Sequence, residues 1–507
     1  MMGPMSTLRY GTPQARWVLA TTALGSGMAF LDGTVVNVAL PSIGRDLNAE
    51  VSGLQWIING YMLMLAALIL LSGSLGDRLG RRTMFVTGIA WFAIASAICT
   101  IAPNLDVLIA GRVLQGIGGA LLTPGSLAIL QTSFRPEDRG RVVGAWSGLT
   151  SVAAAVGPFI GGWIISAGSW RYIFLINVPI AVVTIVIAMR HVPDTRDETA
   201  GGKLDVAGAV LATLGLAGLT YGLIAAGTDG FGSARVLIAL IVGAACLVGF
   251  VLVERDSSHP MLPPDIFTNV RFTGANLVTI VVYGALGVST FLFVLYLQEV
   301  LDYSPLESGA ALLPMTVLML ALSGRSGQLA DRIGTRTPMI VGPLLMAVGF
   351  LLMLRVSPNA TYVGTVLPAV VVLGLGLVAT VAPLTATVLS SVEDRHAGVA
   401  SGVNNAVARS AQLVAVAGIP LAAGITGDAY RDPVAFNDGF TMAMWISAVL
   451  AASGSVLAAL TIRTPAEPVE PAKVPRQVPA GNTHCALEAP PLSNCPGIKS
   501  DITDDAA

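Results

Sequence analysis

The chain has 507 residues, 54% of them hydrophobic, and its 28 Lys+Arg and 30 Asp+Glu make up only 11% of the sequence, against roughly 25% in a soluble domain. With a mean hydropathy of +0.75 there is too little polar surface to cover a water-soluble globule of this size, so lipid must be the solvent. The composition predicts an all-α polytopic membrane protein, offers no basic patch for nucleic acid, and its four scattered cysteines exclude a disulfide framework or a zinc site.

In chain order, a short segment 1–16 carries Arg9 and Arg16 and precedes the first apolar stretch, which is too long for a signal core and reads as an uncleaved first span. Such stretches recur fourteen times, near 17–40, 52–75, 84–102, 107–131, 142–166, 172–189, 205–226, 235–253, 272–297, 307–329, 338–355, 362–390, 399–425 and 440–462. Each is long enough to cross a roughly 30 Å hydrocarbon core as a helix. Of the 28 Lys+Arg, 21 fall in the tails and loops on the side of the amino terminus, 5 on the other side and 2 inside spans. That asymmetry predicts both termini in the cytosol.

Gly73-Ser74-Leu75-Gly76-Asp77-Arg78-Leu79-Gly80-Arg81-Arg82 after span 2 is echoed 254 residues later by Gly327-Gln328-Leu329-Ala330-Asp331-Arg332-Ile333-Gly334-Thr335-Arg336 after span 10. A second pair, Glu137-Asp138-Arg139 and Glu393-Asp394-Arg395, repeats at an offset of 256, so two unrelated loops agree on one register. The spacing predicts a duplicated six-span unit: a first bundle over 17–190, a second over 272–463, and two additional spans over 205–253 between them. That layout suits two bundles rocking about a site at their interface. From 464 to 507 there are eight prolines and almost no apolar periodicity, which predicts a disordered cytosolic tail.

Asp32 is the one acid well inside a span. A charge at a helix centre costs about 2.5 to 3.5 kcal/mol on insertion scales, so it persists with a partner, a water path or a proton. Its burial penalises the ionised form, which makes Asp32 the leading candidate proton carrier; the bland alternative is a packing contact. Arg112 in span 4 lies about 9 Å from the outer edge and Asp32 about 12 Å, at 1.5 Å per residue, so the two can pair; otherwise Arg112 fixes the bundle through backbone carbonyls. Gln115, Asn37 and Thr34 lie about a turn from these charges and extend a polar track. Arg409 in span 13 has no acid within any span, and an anionic group or a cluster of backbone carbonyls would satisfy it.

These residues resemble the major facilitator superfamily, and within it the fourteen-span drug:proton antiporters, over about 17–463. Leu31-Asp32-Gly33-Thr34-Val35-Val36-Asn37-Val38-Ala39-Leu40-Pro41 is similar to the span 1 signature, whose aspartate the resemblance associates with proton coupling. Leu108 to Gly119, with Arg112, Gln115 and Gly116, resembles the span 4 motif. Gly157-Pro158-Phe159-Ile160-Gly161-Gly162 resembles the span 5 motif of exporters; Pro158 kinks a helix, and Gly157, Gly161 and Gly162 let a neighbour approach. The loop with Gly73, Asp77, Arg78, Gly80 and Arg81, and its echo with Asp331 and Arg332, resembles the cytoplasmic gate motif. There Asp77 would accept hydrogen bonds at a helix amino terminus across the half interface, and Arg78 and Arg81 would pair with acids. Trp170-Arg171-Tyr172-Ile173-Phe174-Leu175-Ile176-Asn177-Val178-Pro179 also fits this branch, with interfacial anchoring as its expected job. Some members carry extra acids in span 13, where this chain has Arg409, which argues against recognition of dications.

The expected function is proton-coupled export of small apolar or amphipathic drug-like molecules across the cytoplasmic membrane by alternating access, with Asp32 binding proton and substrate in competition. No G-x-x-x-x-G-K-[ST] sequence occurs, so no cofactor is expected and the energy source is the proton gradient. Flat aromatic faces bind varied drugs, which makes Phe30, Trp56, Tyr61, Trp146, Tyr283, Phe291 and Tyr296 cavity candidates beside Asn37 and Gln115. The alternative is a dedicated exporter of one endogenous metabolite. No clustered His, Asp or Glu supports an enzyme, and a functional monomer embedded in lipid is expected.

Overall fold

The computed structural model describes residues 8–196, 205–257, 260–357, 360–392 and 397–462; the Pro-rich tail lies outside them. Thirteen helices among the described residues are long and apolar enough to cross a membrane. In chain order they are α1 (Pro13–Asp46), α2 (Val51–Leu79), α3 (Arg81–Thr100), α4 (Leu105–Ser133), α5 (Pro136–Ala167), α6 (Tyr172–His191), α7 (Val206–Asp229), α8 (Ala234–Asp256), α9 (Val270–Glu299), α10 (Pro305–Ala330), α11 (Arg336–Met353), α12 (Tyr362–Ser390) and, after the next, α14 (Pro433–Thr461). The remaining expected span is also helical, α13 (Ala397–Ala422). It falls below that apolar standard because it carries Ser401, Asn404, Asn405, Arg409, Ser410 and Gln412. Such a helix belongs between protein surfaces rather than in lipid.

Helix starts follow capping chemistry. Thr12, Ser304 and Asp432 each precede a proline at the first helical position and accept hydrogen bonds from the first-turn backbone. Interior prolines include Pro41, Pro124, Pro158, Pro343, Pro383 and Pro420. Packed neighbours supply the contacts that make such breaks tolerable.

In the first half α1 packs on α5 and α4 on both α2 and α3; in the second, α9 packs on α14 and α13, and α11 on α12 and α14. The halves meet along α2 with α13 and along α5 with α10. Of the two intervening helices, α7 lies against both α2 and α13, while α8 packs on α7. Gly218 of α7 and Gly243 of α8 cross closely enough that a Cβ on the former would sit 2.8 Å from the latter's Cα. The outer flank of α8, including Ile238, Ile241 and Val248, is exposed apolar surface suited to lipid.

Residues 8–12 turn back on the first bundle on the face where α1 begins. Leu8 exchanges backbone bonds with Ser133 and Arg135 at 2.7 and 3.2 Å, and the Tyr10 amide donates to Asp138 at 2.8 Å. The repeated Glu-Asp-Arg loop thus has a local job in its first copy. Residues 393–396 of the second copy lie outside the described residues.

Candidate functional site

Asp32 sits inside the first bundle, and a glycine positions its partner. Gly116 presses α4 onto α2 so closely that a Cβ there would overlap the Tyr61 carbonyl. One turn earlier, Arg112 donates from Nε to the Ile57 carbonyl at 3.0 Å, and its guanidinium stands 4.5 Å from the Tyr61 ring centroid. Its Nη1 reaches Asp32 Oδ2 at 2.5 Å and Gln115 Oε1 at 2.7 Å. The second carboxylate oxygen accepts from Asn177 Nδ2 at 2.9 Å and Gln115 Nε2 at 3.2 Å. Ser96 Oγ accepts from the same two amides at 3.3 and 2.7 Å.

Asp32 and Arg112 are each 1% exposed. Three donors converge on one carboxylate. A proton arriving on Asp32 removes an acceptor lone pair and weakens the pair, while Arg112 keeps Ile57, Gln115 and Tyr61. Asn177 and Ser96 complete the cluster although the sequence reading gave neither a polar role. The signal for Asn177 was its place one residue before Val178-Pro179 inside a span. Thr34 and Asn37 do not extend the track: they bond their own helix, at Leu31 and Gly33 carbonyls, 3.0 and 3.2 Å away.

A cavity of about 650 Å³ lies between the bundles on the face where α1 begins. Phe30 and Trp146 line it, with Pro124 of α4, Asn405 of α13, and the helix-end residues Gly73, Asp77, Arg78 and Arg81. Asp32 is not among its lining residues. Asp32 points into the bundle, two residues from Phe30, which lines the cavity.

The opposite face is closed by bonds between the halves. Arg45 pairs with Glu299 at 2.7 Å. Gln298 donates to the Val38 carbonyl at 2.9 Å and Gln55 to the Val416 carbonyl at 2.6 Å. Tyr430 donates to the Ala49 carbonyl at 2.8 Å, and Arg431 reaches Gly44 and Ala49 carbonyls at 3.2 and 3.3 Å. Burial raises the Tyr430 phenol above its ordinary value, partly offset by its bond from Arg431.

The geometry of paired bundles, one closed face and a cavity at the other agrees with comparisons to known proteins. A model of the Major Facilitator Superfamily matches residues 22–416. The chain belongs to the major facilitator superfamily. It is a transport protein integral to a membrane, not an enzyme. It is 35% identical to the tetracenomycin C resistance and export protein of Streptomyces glaucescens over 85% of this chain and 79% of that one. It is 36% identical to the methylenomycin A resistance protein of Bacillus subtilis (79% and 86% covered), and 30% identical to the multidrug resistance protein Stp of Mycobacterium tuberculosis H37Rv (76% and 72%). Among solved structures, a POT family transporter in complex with a thioalcohol-conjugated peptide superposes with TM-score 0.68 at 13% identity, covering 90% of this chain and 98% of that one.

Against the superfamily plan, the gate motif is disengaged. Asp77 accepts from Arg81 Nε and Nη2 at 2.9 and 2.7 Å within its own turn, rather than reaching the other half. Arg78 Nε has no partner. Gly80 has φ of 109°, a turn that favours glycine, and the Asp194 carboxylate fills the space where a Cβ would stand. Arg332 is exposed, and the side chain of Asp331 lies outside the described residues.

The span 5 motif lies along the seam. Gly157 and Gly161 face Thr34 and Val35 of α1, and Gly162 meets the backbone of Pro305 and Leu306 on α10. Gly309 of α10 abuts the Pro158 carbonyl in return. Glycines here bring two backbones into contact across the halves.

Several cavity candidates turn out to be packing residues. Tyr61 and Phe291 are buried, and Tyr296 stacks on Phe440 at 4.3 Å while donating to Asn437 Oδ1 at 2.6 Å. Tyr283 packs on a core shared by both halves, and Trp56 faces Tyr221 of α7 at 6.4 Å. Gln115 belongs to the ion cluster. Trp170 is buried and donates to Asp46 at 3.0 Å, so it clamps the end of α1 instead of anchoring at the lipid interface. Arg409 points into the seam, 5.9 Å from the Phe30 ring centroid and 3.9 Å from Met62 Sδ, with no acid in contact among the described residues.

Proposed function

We propose that this chain exports hydrophobic small molecules, drugs or antibiotics, from the cytosol across the cytoplasmic membrane, driven by the proton gradient through alternating access. The carrying observation is that the buried Asp32–Arg112 pair joins α1 and α4, the helices that also supply Phe30, Thr123 and Pro124 to the cavity wall. Protonation of Asp32 loosens that joint and re-aims both helices; drug and proton then act on one conformational equilibrium from two places, not at one carboxylate.

The excess of Lys and Arg on the amino-terminal side supports cytosolic termini, which turns the cavity toward the cytosol and the clasped face outward. Names of relatives that carry resistance or export support the drug class. Arg409 beside the cavity disfavours dications and favours neutral or anionic cargo. The gradient takes the place of any cofactor, and one chain in lipid suffices, since both bundles and the seam lie within it.

A second reading, a dedicated exporter of one self-made compound, is supported by relatives named for a single antibiotic. Expression in an efflux-deficient bacterial host, scored against a drug panel with and without a protonophore, tests both. Protonophore-sensitive resistance to several unrelated apolar compounds is expected; resistance to one compound favours the dedicated exporter, and unchanged sensitivity throughout contradicts export.

A further inference from the structure

Two carboxylates meet on the pair of helices that the duplicated plan leaves over. Asp205 caps α7, its Oδ1 accepting from the Gly208 amide at 2.7 Å. Glu254, near the end of α8, is 2% exposed, and its Oε2 accepts from the Leu262 amide at 3.0 Å. The other oxygen of each, Asp205 Oδ2 and Glu254 Oε1, is buried without a hydrogen-bond partner. Both flank one point: a Cβ placed on Gly208 would lie 2.6 Å from the first and 3.0 Å from the second.

Two ionised carboxylates in that position repel, and neither can donate. The charged groups on α7, α8, the helices packed on them and the facing cavity wall are Asp229, Arg235, Arg255, Asp256, Asp77, Arg78, Arg81 and Arg409, followed in the chain by Asp265 and Arg271; none bonds either carboxylate. Lys203 and His259 lie outside the described residues. A calcium or magnesium ion takes about six or more oxygens. Here only two are unengaged, and no group of three metal-ligating side chains occurs among the described residues.

One proton resolves the conflict, because it makes one oxygen a donor to the other and satisfies both. We propose that Asp205 and Glu254 share a proton and form a second protonation site, carried by α7 and α8 at the mouth of the cavity. Asp205 lines that cavity, as do Pro260 and Met261, whose connecting segment is tied to Glu254 through the Leu262 amide. Loss of the proton sets the carboxylates apart and weakens the tie from Glu254 to the Leu262 amide, next to the cavity-lining Pro260 and Met261. The two extra helices then carry a proton-sensitive latch. Only its position beside a drug cavity depends on the transport reading; proton occupancy does not.

Infrared difference spectra of the full chain in lipid nanodiscs, titrated across pH, read the shared proton directly. A carboxylic C=O band should persist well above the pH at which solvated carboxylates ionise, remain in Asp32→Asn, and vanish in Glu254→Gln and Asp205→Asn. Asn at 205 keeps a capping oxygen and offers Glu254 an N–H, so this variant folds. Its melting temperature should be nearly flat with pH where the wild type falls as pH rises, since the folded wild type binds a proton that the unfolded chain releases. A band absent from the wild type, or unchanged in both variants, overturns the proposal. So does stabilisation of the wild type, but not Asp205→Asn, by calcium or magnesium ions alone, which would make the pair a cation site. Loss of drug efflux in Asp32→Asn with the band intact contradicts nothing here and keeps the two readings separable.

Discussion

The two bundles share one duplicated plan and differ in what they bury. The first encloses an ion pair, Asp32 with Arg112, wrapped by Gln115, Asn177 and Ser96. Among the described residues the second has neutral groups at its polar centre, Asn404 donating to Thr279 at 2.8 Å and Asn276 at 3.1 Å, stacks Tyr296, Phe440 and Phe293 elsewhere, and turns its Arg409 to the seam. A buried ion pair is a weak source of net stability, because desolvation offsets most of its attraction. That asymmetry between halves is what the proposed function rests on: in it, the first bundle holds the charge that a proton switches.

The largest expected effect breaks the charged half. Arg112→Ala strands Asp32 in a buried site and should cost about 3–5 kcal/mol, seen as a large fall in melting temperature. Next comes the seam: Gly309→Leu pushes a side chain into the Pro158 backbone and should cost about 1–3 kcal/mol, exposing cysteines introduced on the clasped face to a membrane-impermeant thiol reagent. The neutral half should yield less. Asn404→Ala removes two hydrogen bonds and should cost roughly 1–2 kcal/mol by thermal unfolding, with no change in its pH dependence; a cost matching Arg112→Ala erases the contrast between bundles.

The smallest effect belongs to the clasped face. Burial raises the Tyr430 phenol, so the folded state keeps a proton that the unfolded chain loses near pH ~10. Stability from this group is complete below that range and declines as pH rises through it. Tyr430→Phe should make the alkaline decline in melting temperature shallower; an unchanged slope assigns it to other groups.

The spans, the pairing of Asp32 with Arg112 and the seam glycines were legible because each rests on a local pattern: hydropathy for the spans, matched depth for the pair, and glycine spacing for the seam. Side-chain direction was not legible. Asp32 and Phe30 are two residues apart on one helix, about 200° around its axis, and only packing decides which faces the bundle and which the cavity. Trp56, Tyr61, Tyr283, Phe291 and Tyr296 miss the cavity that Phe30 and Trp146 line for the same reason, since Tyr296 and Phe291 look alike in sequence to Phe30. Asn177 and Glu254 were missed because hydropathy places a polar residue near a span end by default in a loop or an anchor. That Asp77 pairs with Arg81 inside its own turn was not legible either, because a loop motif does not say which neighbour its charges meet.

The central claim is that Asp32 couples the proton while the drug binds elsewhere. Proteoliposomes reconstituted with Asp32→Asn, assayed both for drug exchange without a gradient and for uphill transport with an imposed pH gradient, test it most directly. The account predicts that exchange persists and gradient-driven accumulation is lost; accumulation at the wild-type rate, or exchange lost together with drug binding, would contradict it.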